Sequence, residues 1–315
     1  MRQIEIEWLP LDIRITVDLD DAKNRRLNDL LWSKLPYRSL QNHALVSGNH
    51  LYHLLPFPEF VYTAAETRVP DRTKEPDGTV FLSRLQHLAI KYGPLSEYLP
   101  AAPVGTVRPA DMDALREVGR GCWEAAYHTK QPIEVRVTRK GDSTPIPGLP
   151  RPAPVADPAV QRLINEIHDE TVRVWIEPPT ELMSIHEGEI KSGAGSYDQY
   201  LSTMVFVNGE TRPLGYCALN GLINLWASGE HSLETLRAIT PTFVSTPAEF
   251  LGYCGLDNLW RFTRQALDSL PQVQTREEYF SLVSTLSLYA NCLNTWNLHL
   301  FPWELGDRFR HPRAL

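Results

Sequence analysis

Between Gly78 and Pro103 the chain reads GTVFLSRLQHLAIKYGPLSEYLPAAP, and five side chains capable of acid–base or anion chemistry fall close together in it: Arg84, His87, Lys91, Tyr92 and Glu97. An imidazole and a carboxylate exchange protons near neutral pH, guanidinium and ammonium groups bind carboxylates, and a phenol donates a hydrogen bond or stacks. The turn Pro76-Asp77-Gly78 opens the stretch. Residues Thr79 to Tyr92 are rich in aromatic and branched side chains and long enough for one bent strand or two short ones. Side chains two apart on a strand share a face, so Thr79, Phe81, Ser83, His87, Ala89 and Lys91 lie on one side. Val80, Leu82, Arg84, Leu88, Ile90 and Tyr92 lie on the other. Arg84 and Lys91 can then serve one site only if the strand bends or two strands contribute. Gly93-Pro94 is expected to break the strand and to place Glu97 on a short turn at a pocket mouth; the bland alternative is a surface glutamate capping that turn.

A second group lies upstream, in SLQNHALVSGNHLYHLLP, which reads as a hairpin turning at Gly48-Asn49. With those two residues as the loop, Ser47 pairs with His50 and His43 with Leu54. His43, Ser47, His50 and Tyr52 then share one face, and Leu51, His53 and Leu55 the other. His50 and His53 point apart, so only His43 and His50 could converge, and a catalytic zinc wants three protein ligands. His53, in apolar company, reads as a core histidine. His50 beside Tyr52 is the better candidate for chemistry.

Several elements must position these groups. Ile4, Ile6 and Trp8, then Ile13, Ile15 and Val17, alternate as two strands around Pro10. Asp20-Asp21 offers a helix cap for the leucines at 27, 30, 31 and 35. Residues 66 to 78 form a polar loop broken by prolines, an exposed segment or a rim over a pocket. Pro109 to His128 reads as a helix, and IEVRVTRK, 133 to 140, as a strand with Ile133, Val135 and Val137 inward. The segment 141 to 158 carries six prolines and two glycines and marks a domain boundary. The units expected are an N-terminal domain, 1–145, and a helical domain, 157–315. Helical periodicity follows at 159–177, 214–228, 246–269 and 276–298. LGYCALN from Leu214 and LGYCGLD from Leu251 echo each other as core helices with no evident chemistry. The SGAGS segment reads as a lid or subunit contact, MVFVNGETRP as a small hairpin, and the basic C-terminal tail as solvated.

Composition bounds the partners. A net charge of −7 argues against nucleic-acid or anionic-membrane surfaces. No apolar run approaches the roughly 20 residues that span a bilayer. The four cysteines are scattered without metal or disulfide spacing. A cytoplasmic protein without a membrane or nucleic-acid partner is expected, with self-association left open. The Gly-rich stretch lacks both nucleotide-binding patterns, and no metal cluster is evident. Small-molecule substrates and no cofactor are therefore the expectation.

FLSRLQHLAIKYGPLSEYLPAAPVG, with the histidine-bearing hairpin before it and IEVRVTRK after it, resembles the cucumopine synthase family. The resemblance implies an α+β chain: a cyclophilin-like β-barrel followed by a C-terminal all-α helical bundle. It also implies a cofactor-free Pictet–Spengler condensation of an aromatic amino acid, L-histidine or L-tryptophan, with 2-oxoglutarate. The product would be a cyclised opine or a tetrahydro-β-carboline. Such a reaction adds an amine to a carbonyl, expels water with acid help, closes a ring on the resulting imine and returns aromaticity with a base. Glu97, His87 and His50 are the candidates for proton transfer. Arg84 and Lys91 are candidates for carboxylate binding, and Tyr52 and Tyr92 for hydrogen bonding or stacking. Two other readings compete: a cyclophilin-like prolyl isomerase or peptide-binding module, and an assembly protein whose helices drive oligomerisation.

Overall fold

The computed structural model of the chain describes residues 2–189 and 200–305. Eight strands form a closed antiparallel barrel: β1 (Gln3–Trp8), β2 (Ile13–Leu19), β3 (Tyr37–His43), β4 (Gly48–Leu54), β5 (Thr79–Ser83), β6 (His87–Leu95), β7 (Ala102–Val107) and β8 (Glu134–Arg139). Their order around the barrel is β1-β2-β7-β5-β6-β4-β3-β8. The alternating apolar residues point inward: Ile4, Ile6, Trp8, Val17, Leu51, Val80, Leu88, Ile90, Val135 and Val137 are all buried in one core. Three helices belong to this half: α1 (Asp21–Lys34), capped by the Asp20 carboxylate on the Ala22 amide, a short α2 (Glu59–Tyr62), and α3 (Met112–Glu124). Helix α3 lies against Tyr92, where a Cβ on Gly119 would come within 2.4 Å of the phenol ring.

After residues 141–157, which carry no regular element, come α4 (Pro158–Val174), α5 (Thr180–His186), α6 (Tyr200–Arg212), α7 (Asn220–Ser228), α8 (Leu233–Tyr253), α9 (Asp257–Ser269) and α10 (Arg276–Leu300). They enclose a second core, in which Leu163, Ile167, Leu251, Phe262, Tyr289 and Trp296 are buried. The α+β architecture, barrel first and bundle second, is the one expected. None of the described helices is long and apolar enough to cross a membrane.

The structure corrects three local expectations and takes one of the two readings left open for a fourth segment. The hairpin of β3 and β4 pairs His43 with Leu51 and Gln41 with His53, not His43 with Leu54. The connection is longer than Gly48-Asn49, and the odd-numbered shift moves His43 to the face of Leu51 and His53. Residues 79–92 are two strands, and Arg84 sits in the turn between them. Gly93-Pro94 does not break β6, which runs on to Leu95; Gly93 is needed because Asn49 lies 2.5 Å from where its Cβ would stand. MVFVNGETRP is not a hairpin but helical: burial of Met204 and Val207, a turn apart, outweighs the turn propensity of Asn208-Gly209. In addition, the helix expected over 246–269 is two, α8 and α9, divided near Gly255 at φ 107°. The SGAGS segment and most of the C-terminal tail lie outside the described residues.

The two cores meet across the outer surface of the barrel. Leu40, Leu54 and Val61 belong to the core of the bundle, not to the barrel interior. Polar ties cross the same seam: Trp175 donates to the Arg38 carbonyl at 2.8 Å and Lys130 to the Phe301 carbonyl at 2.6 Å.

Candidate active site

An outward strand face normally meets water, and polar residues there need no partner. Here the outward side chains of β3–β6 are covered: Asn42, His50, Thr79, Phe81, His87, Ala89 and Lys91 are all buried. Cross-strand pairing aligns them. His50 lies opposite Lys91, Tyr52 opposite Ala89, and Leu54 opposite His87, while Phe81 faces Ala89 from the other side. Buried polar groups of this kind cost free energy unless bonded, so their concentration on one face marks it as built for a ligand or a reaction.

One end of this face carries the acid. The half-buried Glu97 carboxylate accepts a hydrogen bond from the Ser47 hydroxyl at 2.7 Å and forms an ion pair with Arg72. Arg72 Nε also donates to the Glu97 carbonyl at 3.2 Å, so the guanidinium grips both side chain and backbone of that residue. Arg72 comes from a single 3-10 turn in the polar loop, Arg72–Lys74, capped by the Asp71 carboxylate. Lys91 holds this loop from inside the wall. Its Nζ donates to the carbonyls of Thr73, at 2.9 Å, and Glu75, and lies 3.6 Å from Asp77.

The other end carries His87. Its Nε2 shares a hydrogen bond of 2.7 Å with the hydroxyl of Tyr216, and its ring lies 4.8 Å from that of Tyr52. Burial pushes the His87 imidazole down to about 3, helped by the charges of His53 and Arg212. His50 is likewise pushed down to about 3, by burial first and then by Arg72, His87 and His43. Both are neutral at pH 7. Burial raises the phenols of Tyr52 and Tyr216, the latter to about 12, with Arg212 pulling against each shift. His50 Nε2 and Asn42 Nδ2 are buried and make no hydrogen bond.

Tyr216 arrives by a distortion of its helix. Pro213 follows α6 directly, lacks an amide proton and crowds the preceding turn. The chain answers with a wide π-helical segment, Pro213–Leu219, before α7 resumes the normal pitch. Gly215 lets this segment approach α10: a Cβ there would stand 2.1 Å from Asn291 Oδ1.

The candidates named from sequence therefore separate into four groups. Glu97, His50, Tyr52 and His87 share the covered face or its rim. Tyr92 lies on the opposite side of β6, bonded through its hydroxyl to His43 at 2.6 Å. Arg84 is a strut: its Nε donates to the Val61 carbonyl at 3.1 Å and its guanidinium reaches Asn224 of α7. Lys91 is on the face, but its donors go to the loop. Tyr216 and Arg72 do not stand out in the sequence. The signal for Tyr216 was a proline inside a helical pattern; for Arg72 it was an Asp cap opening a turn inside a polar loop.

Known proteins resemble the chain along its length. Residues 160–300 match the cucumopine synthase C-terminal helical bundle domain. No curated protein sequence matches the chain. Among solved structures, that of McbB in complex with tryptophan is 64% identical, covers 98% of this chain and 100% of its own, and superposes with a TM-score of 0.95. With this likeness along both barrel and bundle, the chain belongs to the cucumopine synthase family and is an enzyme of the Pictet–Spengler kind.

Proposed function

We propose that the protein condenses L-tryptophan with a carboxylate-bearing carbonyl compound, 2-oxoglutarate being the one the family resemblance implies, to give a tetrahydro-β-carboline. The observation that carries this reading is the covered face itself. Aromatic side chains, Phe81 and Tyr52, lie between an ion-paired carboxylate at one end and a histidine–tyrosine pair at the other. The tryptophan complex of the 64%-identical McbB supports tryptophan over histidine as the amine.

In this reading the α-amino nitrogen adds to the carbonyl carbon, and the carbinolamine loses water as its hydroxyl takes up a proton. His87 and Tyr216, coupled by their hydrogen bond, move that proton. The indole then attacks the iminium carbon, and Glu97 takes the proton from indole C2 as aromaticity returns. Ser47 and Arg72 hold the carboxylate in place for that transfer, and His50 and Tyr52 bind polar atoms of the substrates. Exclusion of water by the bundle favours the iminium over its hydrolysis. The prolyl-isomerase alternative needs an open barrel face for an extended peptide, whereas this face lies under the bundle at one end and under the loop of Arg72 at the other. The setting proposed is the cytoplasm, in keeping with four unpaired thiols.

Incubation of the purified protein with 2-oxoglutarate and either tryptophan or histidine, followed by mass spectrometry, tests the proposal. A cyclic adduct of tryptophan, lighter than the summed reactants by one water, is expected. Formation of the histidine adduct alone, or of none with any carbonyl compound, would refute it.

A further inference from the structure

A cavity of about 200 Å³ lies outside the covered face and shares no residue with it. Three parts of the chain enclose it: the barrel supplies Tyr37, Arg38 and Phe57, the proline-rich segment Gly148, and the end of α4 Trp175. An apolar cavity of about 150 Å³ holds benzene, so this one has room for a single aromatic ring and a short arm.

Its walls are held in place before anything binds. Pro36, Pro56, Pro147 and Pro150 line it, each with φ fixed by its ring. The Tyr37 hydroxyl is bonded to His53 Nε2 at 2.9 Å, and the Trp175 indole N–H donates to the Arg38 carbonyl at 2.8 Å. Phe57 meets Tyr37 edge-on, with ring centres 5.8 Å apart. The polar ends of Tyr37 and Trp175 thus have partners, and the rings offer apolar surface. A Cβ on Gly148 would meet no atom within 4 Å, so the proline-rich segment leaves the space beside it unfilled. Walls of this kind lose little freedom when a ligand enters.

The charge of the lining is one-sided. Lys34 and Arg38 line the cavity, and among the described residues no Asp or Glu does. The Lys34 ammonium is bound to Glu59 at 2.6 Å and lies 5.3 Å from the centre of the Phe57 ring. Arg38 is held more loosely. Its guanidinium stands 3.7 Å from Glu134, beyond hydrogen-bond length, and that carboxylate already accepts from Arg136 at 2.8 Å. A guanidinium carries five N–H donors, so Arg38 keeps donors for a further carboxylate.

We propose that this cavity is a second ligand site, one that takes a small aromatic monocarboxylate. The ring lies among Tyr37, Phe57 and Trp175, and the carboxylate meets Arg38. The site goes beyond the condensation reading and does not depend on it. Its ligand touches the barrel, the bundle and the segment that joins them.

Calorimetric titration with phenylacetate and with its neutral analogue 2-phenylethanol tests the site. Phenylacetate, with about ten heavy atoms, should bind the parent with a Kd of about 1 mM or tighter. The alcohol should bind at least about tenfold more weakly, the worth of one charge-assisted contact. Arg38→Gln should erase that preference, and Arg38→Lys should keep part of it. Arg38 is exposed, and its backbone bonds to β4 and β8 do not involve the side chain, so both variants should fold. In a crystal soaked with 4-iodophenylacetate, the anomalous signal of iodine should lie between Phe57 and Trp175. Failure of phenylacetate to bind, equal binding of acid and alcohol, or a preference that survives Arg38→Gln would overturn the second site. Iodine found only on the covered face would overturn it as well.

Discussion

His87 Nε2 and the Tyr216 hydroxyl lie 2.7 Å apart although 129 residues separate them in the chain. The bond joins the barrel wall to the π-helical segment of the bundle, so the pair proposed to move the proton exists only when both halves are in place. Tyr216→Phe keeps the ring and its packing but leaves a buried imidazole nitrogen without a partner, at a cost of about 1–3 kcal/mol. Thermal melting should show that loss, and turnover should fall about tenfold or more. A variant with lowered stability and unchanged turnover would make the bond a purely structural tie.

Glu97→Gln preserves the volume and the hydrogen bond from Ser47 but removes the charge that Arg72 pairs with and, with it, the proposed base. Folding should survive, because the residue is half exposed. Turnover should fall by about 10²–10⁴-fold, the usual worth of one acid–base group. Activity within a few-fold of the parent would shift the base to His87 or His50.

How far the sequence disclosed this arrangement follows from the range of each interaction. Barrel strands declare themselves by alternation, as in Ile4, Ile6 and Trp8, because burial on one face acts residue by residue. Strand register is less local. Gly48-Asn49 resembles a two-residue turn, which would put His43 on the face of His50, whereas the observed pairing sets His43 opposite Leu51 through a longer connection. Glu97 and His87 could be named because their chemistry is intrinsic to the side chain. That His87 lies beneath the bundle cannot be read, since outward and solvent-exposed mean the same thing until a second layer is known. The contacts of Lys91 are illegible for a similar reason: a buried ammonium takes whatever carbonyls are near, and those of Thr73 and Glu75 come from a loop with no regular pattern.

Buried histidines make stability depend on acidity. His50, His53 and His87 are each pushed down to about 3, chiefly by burial, against about 6.5 in an unfolded chain. The folded form therefore refuses protons that the unfolded form accepts. Their contribution is complete above pH 6.5 and is lost as pH falls toward 3. Each residue adds up to about 1.4 kcal/mol per pH unit within that window. Urea unfolding at pH 7.5 and 5.5 should show a marked fall in stability, smaller in His87→Gln. Equal stability at the two pH values would mean that these imidazoles are not held neutral.

We propose that 1–145 and 157–315 fold as two units joined by the proline-rich segment. Residues 143–154 are mostly exposed and have no regular structure. Brief trypsin treatment should cut first after Lys140, at the end of the barrel. The fragments should stay associated through the seam, where Lys130 bonds the Phe301 carbonyl and Trp175 the Arg38 carbonyl. They should elute together on gel filtration and separate only in denaturant. An earlier cut within β5–β6 or the 214–262 helices would contradict two units.

Arg84 and Lys91 distinguish a strut from a clamp. Arg84 is exposed, and its partners belong to α2 and to α7, away from the acid end. Arg84→Ala should leave both kinetic constants within about twofold and cost under about 1 kcal/mol, as exposed polar ties do. Lys91 is buried, and its ammonium satisfies two carbonyls of the loop that carries Arg72. Lys91→Met keeps the aliphatic stem but strands those carbonyls, so unfolding free energy should drop by about 1–3 kcal/mol. The freed loop should loosen Arg72 from Glu97 and lower turnover, with a smaller effect on the tryptophan KM. If Lys91 instead bound a substrate carboxylate directly, Lys91→Met would raise the KM of that substrate about tenfold and spare stability. Urea titration beside steady-state rates for the two variants separates these outcomes.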